Sequence, residues 1–127
     1  ANKRLGTPLK ILFMEMEALI HTYQPMVVAM EDTFFAKNVK SALTLGQAKG
    51  VARLAAEMKE LPVFEYTPRT VKMAVVGYGG ATKEQVQEMV FRILALPHRL
   101  DSEHAADAAA VAICHAHSAK LLERMAR

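Results

Sequence analysis

Pro25-Met26-Val27-Val28-Ala29-Met30-Glu31-Asp32 is the stretch that decides how this chain folds. A proline disfavours helix at the residue before it, so the preceding segment stops there. Met26 to Met30 is then a continuous apolar run, the pattern of a strand buried on both faces of a parallel sheet. It ends in two acids, Glu31 and Asp32.

Upstream, Thr7-Pro8 reads as an N-cap followed by a first helical residue. Leu9, Leu12, Phe13, Met16, Leu19, Ile20 and Tyr23 follow at spacings of three and four, which predicts a core-facing helix. Downstream, a loop from Thr33 to Asn38 leads into a long helix over about residues 39–60, with Val39, Leu43, Val51, Leu54, Ala55 and Met58 as its expected buried stripe. Gly46 and Gly50 cost that helix about 1 kcal/mol each, which close packing against a neighbour would explain. A second strand is expected at Pro62 to Tyr66, completing a right-handed βαβ unit.

Thr67-Pro68 starts a short helix through Val76, ended by Gly77-Tyr78-Gly79-Gly80. Thr82-Lys83-Glu84-Gln85 has capping-box form, and Val86, Met89, Val90, Ile93 and Leu94 give the next helix one apolar face before Pro97. Ser102 is placed to cap a last helix over about 103–125, whose basic final turns suit the helix dipole. Two strands do not make a stable sheet alone. The pattern therefore implies a larger α/β domain whose first strands lie upstream of Ala1.

The 127 residues are one domain's worth, 52% apolar and 23% charged, as in an ordinary globular chain. Apolar runs fall short of the ~20 residues that span a bilayer. Sixteen basic against thirteen acidic residues give +3, which permits nucleic-acid binding without demanding it. The lone cysteine, Cys114, forbids an internal disulfide and suits a reducing cytoplasm, and its apolar surroundings predict a buried thiol.

Glu31 ends a buried strand, where open α/β sheets place their ligands. A carboxylate there is solvated in the loop, paired, or bound to metal. His104 and Asp107, at i and i+3, share a face in the first turn of the last helix. The helix dipole accounts for the aspartate but not for the histidine. Carboxylates with one imidazole suit Mg²⁺ or Mn²⁺ better than structural zinc. In the loop Asp32-Thr33-Phe34-Phe35-Ala36-Lys37-Asn38, two adjacent phenylalanines cannot both face one core. One is then free to stack on a base or wedge between base pairs, unless the loop itself buries both. Lys72 and Lys83 flank the glycine-rich turn, either as solvated surface or as phosphate contacts.

Three tempting motifs fail. The segment from Gly77 to Thr82 lacks the last glycine of a dinucleotide fingerprint and has no strand directly before it. Lys83 follows threonine, so the turn is no Walker A loop. Cys114-His115-Ala116-His117 resembles a metal tract, yet on a helix those side chains diverge, so it reads as a partly buried helical segment.

Taken in order, the segments resemble one family. Ala29 to Asn38 is similar to the second-acid segment of RuvC-type Holliday-junction resolvases, and Ser41-Ala42-Leu43-Thr44-Leu45-Gly46-Gln47-Ala48-Lys49-Gly50-Val51 to their long-helix signature. Val71 to Gly77, Lys83 to Gln87 and Ala106 to His117 resemble the next three blocks. The resemblance implies a ribonuclease-H-like α/β fold, a mixed sheet with flanking helices, forming a single nuclease domain over residues 1–127. It implies a homodimeric endonuclease that resolves four-way junctions with Mg²⁺, or Mn²⁺, in bacterial cytoplasm, alongside a RuvA-RuvB branch-migration complex. By position, Glu31 and Asp107 are metal-holding acids, Lys72 and Lys83 act near the scissile phosphate, and Phe34 stacks at the junction. Phe35, Lys37, Asn38 and Arg69 join Phe34 and the two lysines as expected DNA contacts. His104 stands where an aspartate is commoner and is kept as a ligand. The family's opening strand, Gly-Ile-Asp-Pro-Gly or similar, has no counterpart here, so the chain as written is expected to bind Mg²⁺ weakly and not to cut. The alternatives are another ribonuclease-H-like nuclease, which the Phe-Phe-Ala-Lys-Asn loop and the Leu-Gly-Gln-Ala block argue against, and a junction-binding chain without cleavage.

Overall fold

The computed structural model describes residues 7–33 and 37–126. In it the expected first strand runs Val28–Glu31 (β1), two residues later than its apolar run begins, and the second runs Val63–Tyr66 (β2). The Val28 amide donates to the Pro62 carbonyl at 3.0 Å and the Asp32 amide to the Tyr66 carbonyl at 2.7 Å. Both pairs have the same sequence offset, as parallel strands in constant register require.

Among the described residues five helices alternate with or follow these strands along the sequence: Pro8–Tyr23 (α1), Val39–Met58 (α2), Pro68–Val76 (α3), Lys83–Ile93 (α4) and Glu103–Met125 (α5). Each starts on a residue whose side chain accepts a backbone N–H that the helix leaves unpaired: Thr7, Asn38, Thr67, Thr82 and Ser102. At Thr82 the capping box is complete, with the Gln85 side chain accepting from the Thr82 amide at 2.8 Å. Gly77, at φ 87°, ends α3 in the left-handed conformation that glycine adopts without penalty.

The described residues form two compact units. One holds α1 and α2, which pack on each other and bury Ile20, Ala55 and Ala56. The expected α2 stripe is corrected here. Val39, Leu43, Leu54 and Met58 are 76%, 64%, 50% and 63% exposed, and the packed positions are the small Ala55 and Ala56. Periodicity finds an apolar face but not what covers it, and α1 is the one helix packed against α2 within this unit. The close packing expected at Gly46 and Gly50 is likewise not found, since a Cβ at either would meet open space.

The other unit holds residues 29–33 and those from Phe64 onward. Val71 and Val75 of α3, Val86 and Val90 of α4, and Ala110, Val111, Ile113 and Cys114 of α5 make its core, with Ala29 and Tyr66 packed against it. The Cys114 thiol is buried as expected, and desolvation pushes its pKa up.

Candidate active site

A cleft of about 240 Å³ opens in the second unit. Four elements meet at it: the end of β1 brings Glu31, α3 brings Pro68, Val71 and Lys72, α4 brings Lys83 and Val86, and α5 brings Asp107, Ala110 and Val111. Parallel strands run their carboxyl ends to one edge, so an acid that closes β1 reaches this edge by topology. Lys83 is the first residue of α4 and Asp107 the fifth of α5, so both come from the amino-terminal ends of capped helices. Four of the five expected catalytic residues therefore share one cleft.

Lys83 is its electrostatic centre. Its Nζ lies 3.1 Å from Glu103 Oε2 and 3.9 Å from Asp107 Oδ2. The hydrogen bond to Glu103 raises the lysine's pKa most, followed by the charge of Asp107, so the ammonium form is favoured beyond its ordinary range. Val71, Val86 and Val111 form the apolar wall of the cleft.

His104 is exposed and is not among the residues lining the cleft. Helical geometry gives the reason. At about 100° per residue, Glu103 and Asp107 lie about 40° apart, whereas His104 lies about 60° from Asp107 on the other side. The face turned to Lys83 is the one carrying Glu103 and Asp107. Glu103 is thus the charged neighbour that sequence reasoning missed, and its i, i+4 spacing to Asp107 was the available signal.

Arg69, on α3, is exposed, and a Cβ built on Gly79 would come within 3.0 Å of its side chain. Lys37 and Asn38 belong to the first unit, where Asn38 Oδ1 accepts from the Ser41 amide at 2.8 Å as the cap of α2. Phe34 and Phe35 lie outside the described residues. Cys114, His115 and His117 diverge around α5 as expected, the first buried, the second half-buried and the third exposed.

Both acids of the cleft are hard oxygen donors. Among the described residues no three His, Cys, Asp or Glu side chains converge on one point. Two carboxylates fit a cation such as Mg²⁺, which keeps several waters and takes further ligands from a substrate phosphate. They do not make a closed zinc cage.

The family model described as "Crossover junction endodeoxyribonuclease RuvC" matches residues 1–115. Crossover junction endodeoxyribonuclease RuvC of Desulfitobacterium hafniense is 51% identical over 125 residues, 98% of this chain and 76% of that protein. The Heliobacterium modesticaldum protein of the same name is 54% identical over 118 residues, 93% and 73% of the two chains. Among solved structures, Thermus thermophilus RuvC superposes with a TM-score of 0.82 at 35% identity, over 89% of this chain and 68% of that one. The same protein "in complex with Holliday junction substrate" superposes at 0.85, with the same identity and coverage.

Proposed function

Because the chain belongs to the RuvC family of crossover junction endodeoxyribonucleases, we propose that its cleft hydrolyses DNA strands at four-way junctions. The reading is of paired nicks that resolve junctions in recombination and repair. One observation carries it: Glu31, Lys72, Lys83 and Asp107, from four separate elements, line a single cleft.

Glu31 and Asp107 would hold Mg²⁺, with Mn²⁺ as a substitute. When bound, the ion polarises a phosphate oxygen and lowers the pKa of a water. Lys72 and Lys83 bind the non-bridging phosphate oxygens. Lys83 does so as an ammonium, a form that Glu103 and Asp107 favour further. Val71, Val86 and Val111 give the phosphodiester an apolar wall on one side of the cleft. Hydrolysis adds water across one P–O bond, leaving a phosphate on one strand end and a hydroxyl on the other. His104 is kept as a third ligand on the resemblance alone, and Phe34, with Phe35, Lys37, Asn38 and Arg69, as contacts to the junction.

Residues 1–127 act in this reading as one nuclease domain, supported by a family match that spans residues 1–115. Cutting requires a third carboxylate, the family's first-strand aspartate. The protein works as a homodimer in the bacterial cytoplasm, beside a RuvA-RuvB complex. The exposed apolar side chains of α2 support dimerisation, since large apolar surface left bare on a monomer marks an interface.

The test is cleavage of a synthetic four-way junction and a linear duplex of the same sequence in Mg²⁺. It uses residues 1–127 and a chain extended at its amino end by the first strand. The extended chain is expected to nick two opposed strands of the junction and spare the duplex. Equal cutting of both substrates contradicts the reading.

A further inference from the structure

Asp107 has two competitors for its charge: a metal and Lys83. An ammonium beside a carboxylate weakens that carboxylate's hold on a metal cation, because the two positive charges repel. The Lys83–Asp107 contact is nevertheless loose at 3.9 Å, whereas Lys83 and Glu103 are in hydrogen-bond contact at 3.1 Å. Glu103 does not line the cleft and its side chain is 68% exposed, so it draws the ammonium toward the rim. An exposed ion pair adds little to folding. Glu103 also lies in the first turn of α5, where any acid suits the helix dipole, but that role is indifferent to where Lys83 points.

We infer that Glu103 is a positioning residue that holds the Lys83 ammonium off Asp107 and so keeps that carboxylate open to metal. The inference rests on the reading of Asp107 as a metal-holding acid. Glu103 touches neither the metal nor the scissile phosphate in this scheme. It gives Lys83 somewhere else to be. Removing the Glu103 charge leaves Asp107 as the other ion-pair partner of Lys83, and an incoming cation then meets the repulsion of a closer ammonium.

The experiment is Mn²⁺ binding to the DNA-free protein, followed by the electron paramagnetic resonance of the free ion. The proteins compared are the parent, Glu103→Gln, Lys83→Met, the double variant and Asp107→Asn. Glu103→Gln is expected to raise the Mn²⁺ dissociation constant about two- to fivefold, the worth of an exposed ion pair. In the Lys83→Met background the same substitution is expected to change nothing, because no ammonium remains to be redirected. An equal rise in both backgrounds would mean that Glu103 acts through its own charge, and overturns the inference. No rise in the parent background overturns it as well. Asp107→Asn should abolish binding at this site. If it leaves Mn²⁺ binding intact, the metal reading itself fails and this inference goes with it.

Discussion

Tyr66 Oη lies 2.6 Å from His115 Nδ1, a hydrogen bond that joins the end of β2 to the middle of α5. The His115 ring also rests against Phe64, with centroids 4.6 Å apart and the planes tilted by 39°. β2 pairs with the strand that ends in Glu31, and α5 carries Asp107 about two turns before His115. The bond therefore ties α5, which carries Asp107, to the strand paired with the one that ends in Glu31. Tyr66→Phe keeps the ring but removes the hydroxyl, and should cost about 0.5–1.5 kcal/mol of stability in urea unfolding. Cleavage should slow by more than that loss of folded protein explains. Unchanged cleavage by a fully folded Tyr66→Phe protein would mean that the bond does not set the acids' positions.

The α2 face makes a separate prediction. Leu43→Glu places a charge among exposed apolar side chains that contribute nothing to the core of their own unit. If this face makes the proposed dimer contact, sedimentation should show a shift from dimer to monomer, with helical content retained. A variant that stays dimeric places the dimer contact elsewhere.

Alkaline stability follows from two groups. Burial raises the Cys114 pKa, while the Glu103 hydrogen bond and then the Asp107 charge raise that of Lys83. In both cases the folded state holds its proton more tightly than the unfolded chain. The stabilisation is thus complete below the unfolded pKa values and lost as pH rises through the folded ones. The window opens at about pH 8.5 for the thiol and about 10.4 for the lysine. The urea midpoint should fall between pH 8 and pH 11, and Cys114→Ala should remove the earlier part of the fall. A midpoint that stays level across this range contradicts these shifts.

Much of this architecture was legible in the sequence. Thr7, Thr82 and Ser102 each announce a helix start, and each caps one. Glu31 was readable as a cleft residue because an acid that closes an apolar strand sits at the carboxyl edge of the sheet, although the strand itself is only half-buried. Lys72, Lys83 and Asp107 were readable through ordered resemblance, and only weakly through spacing. What stayed hidden depends on tertiary contact. Tyr66 and His115 are 49 residues apart, and no local pattern pairs them. Glu103 was overlooked because the helix dipole already explains an acid in a first turn. His104 shows the converse. Spacing of three places two residues on one broad face, but cannot say which edge of that face meets the cleft.

His104 is therefore open to a direct trial. If its imidazole swings in as a ligand, His104→Ala should lose most cleavage, and His104→Asp should keep it while weakening any preference for Mn²⁺ over Mg²⁺. Rates for the three proteins in each metal decide the matter. An alanine variant as active as its parent removes His104 from the site and leaves Asp107 as the α5 ligand.

The most direct measurement is of junction cleavage and junction affinity side by side, for Glu31→Gln, Asp107→Asn and their double variant in Mg²⁺. Affinity for DNA comes mainly from cations on phosphates, whereas in the proposed reading the two acids hold the metal. Each single variant, made in the cutting-competent chain, should bind the junction as its parent does yet cut at background. The double variant should be no worse than either single, because groups that act as one unit fail together. Cleavage that survives in either single variant, or affinity that falls in step with cleavage, would contradict a shared metal-holding cleft.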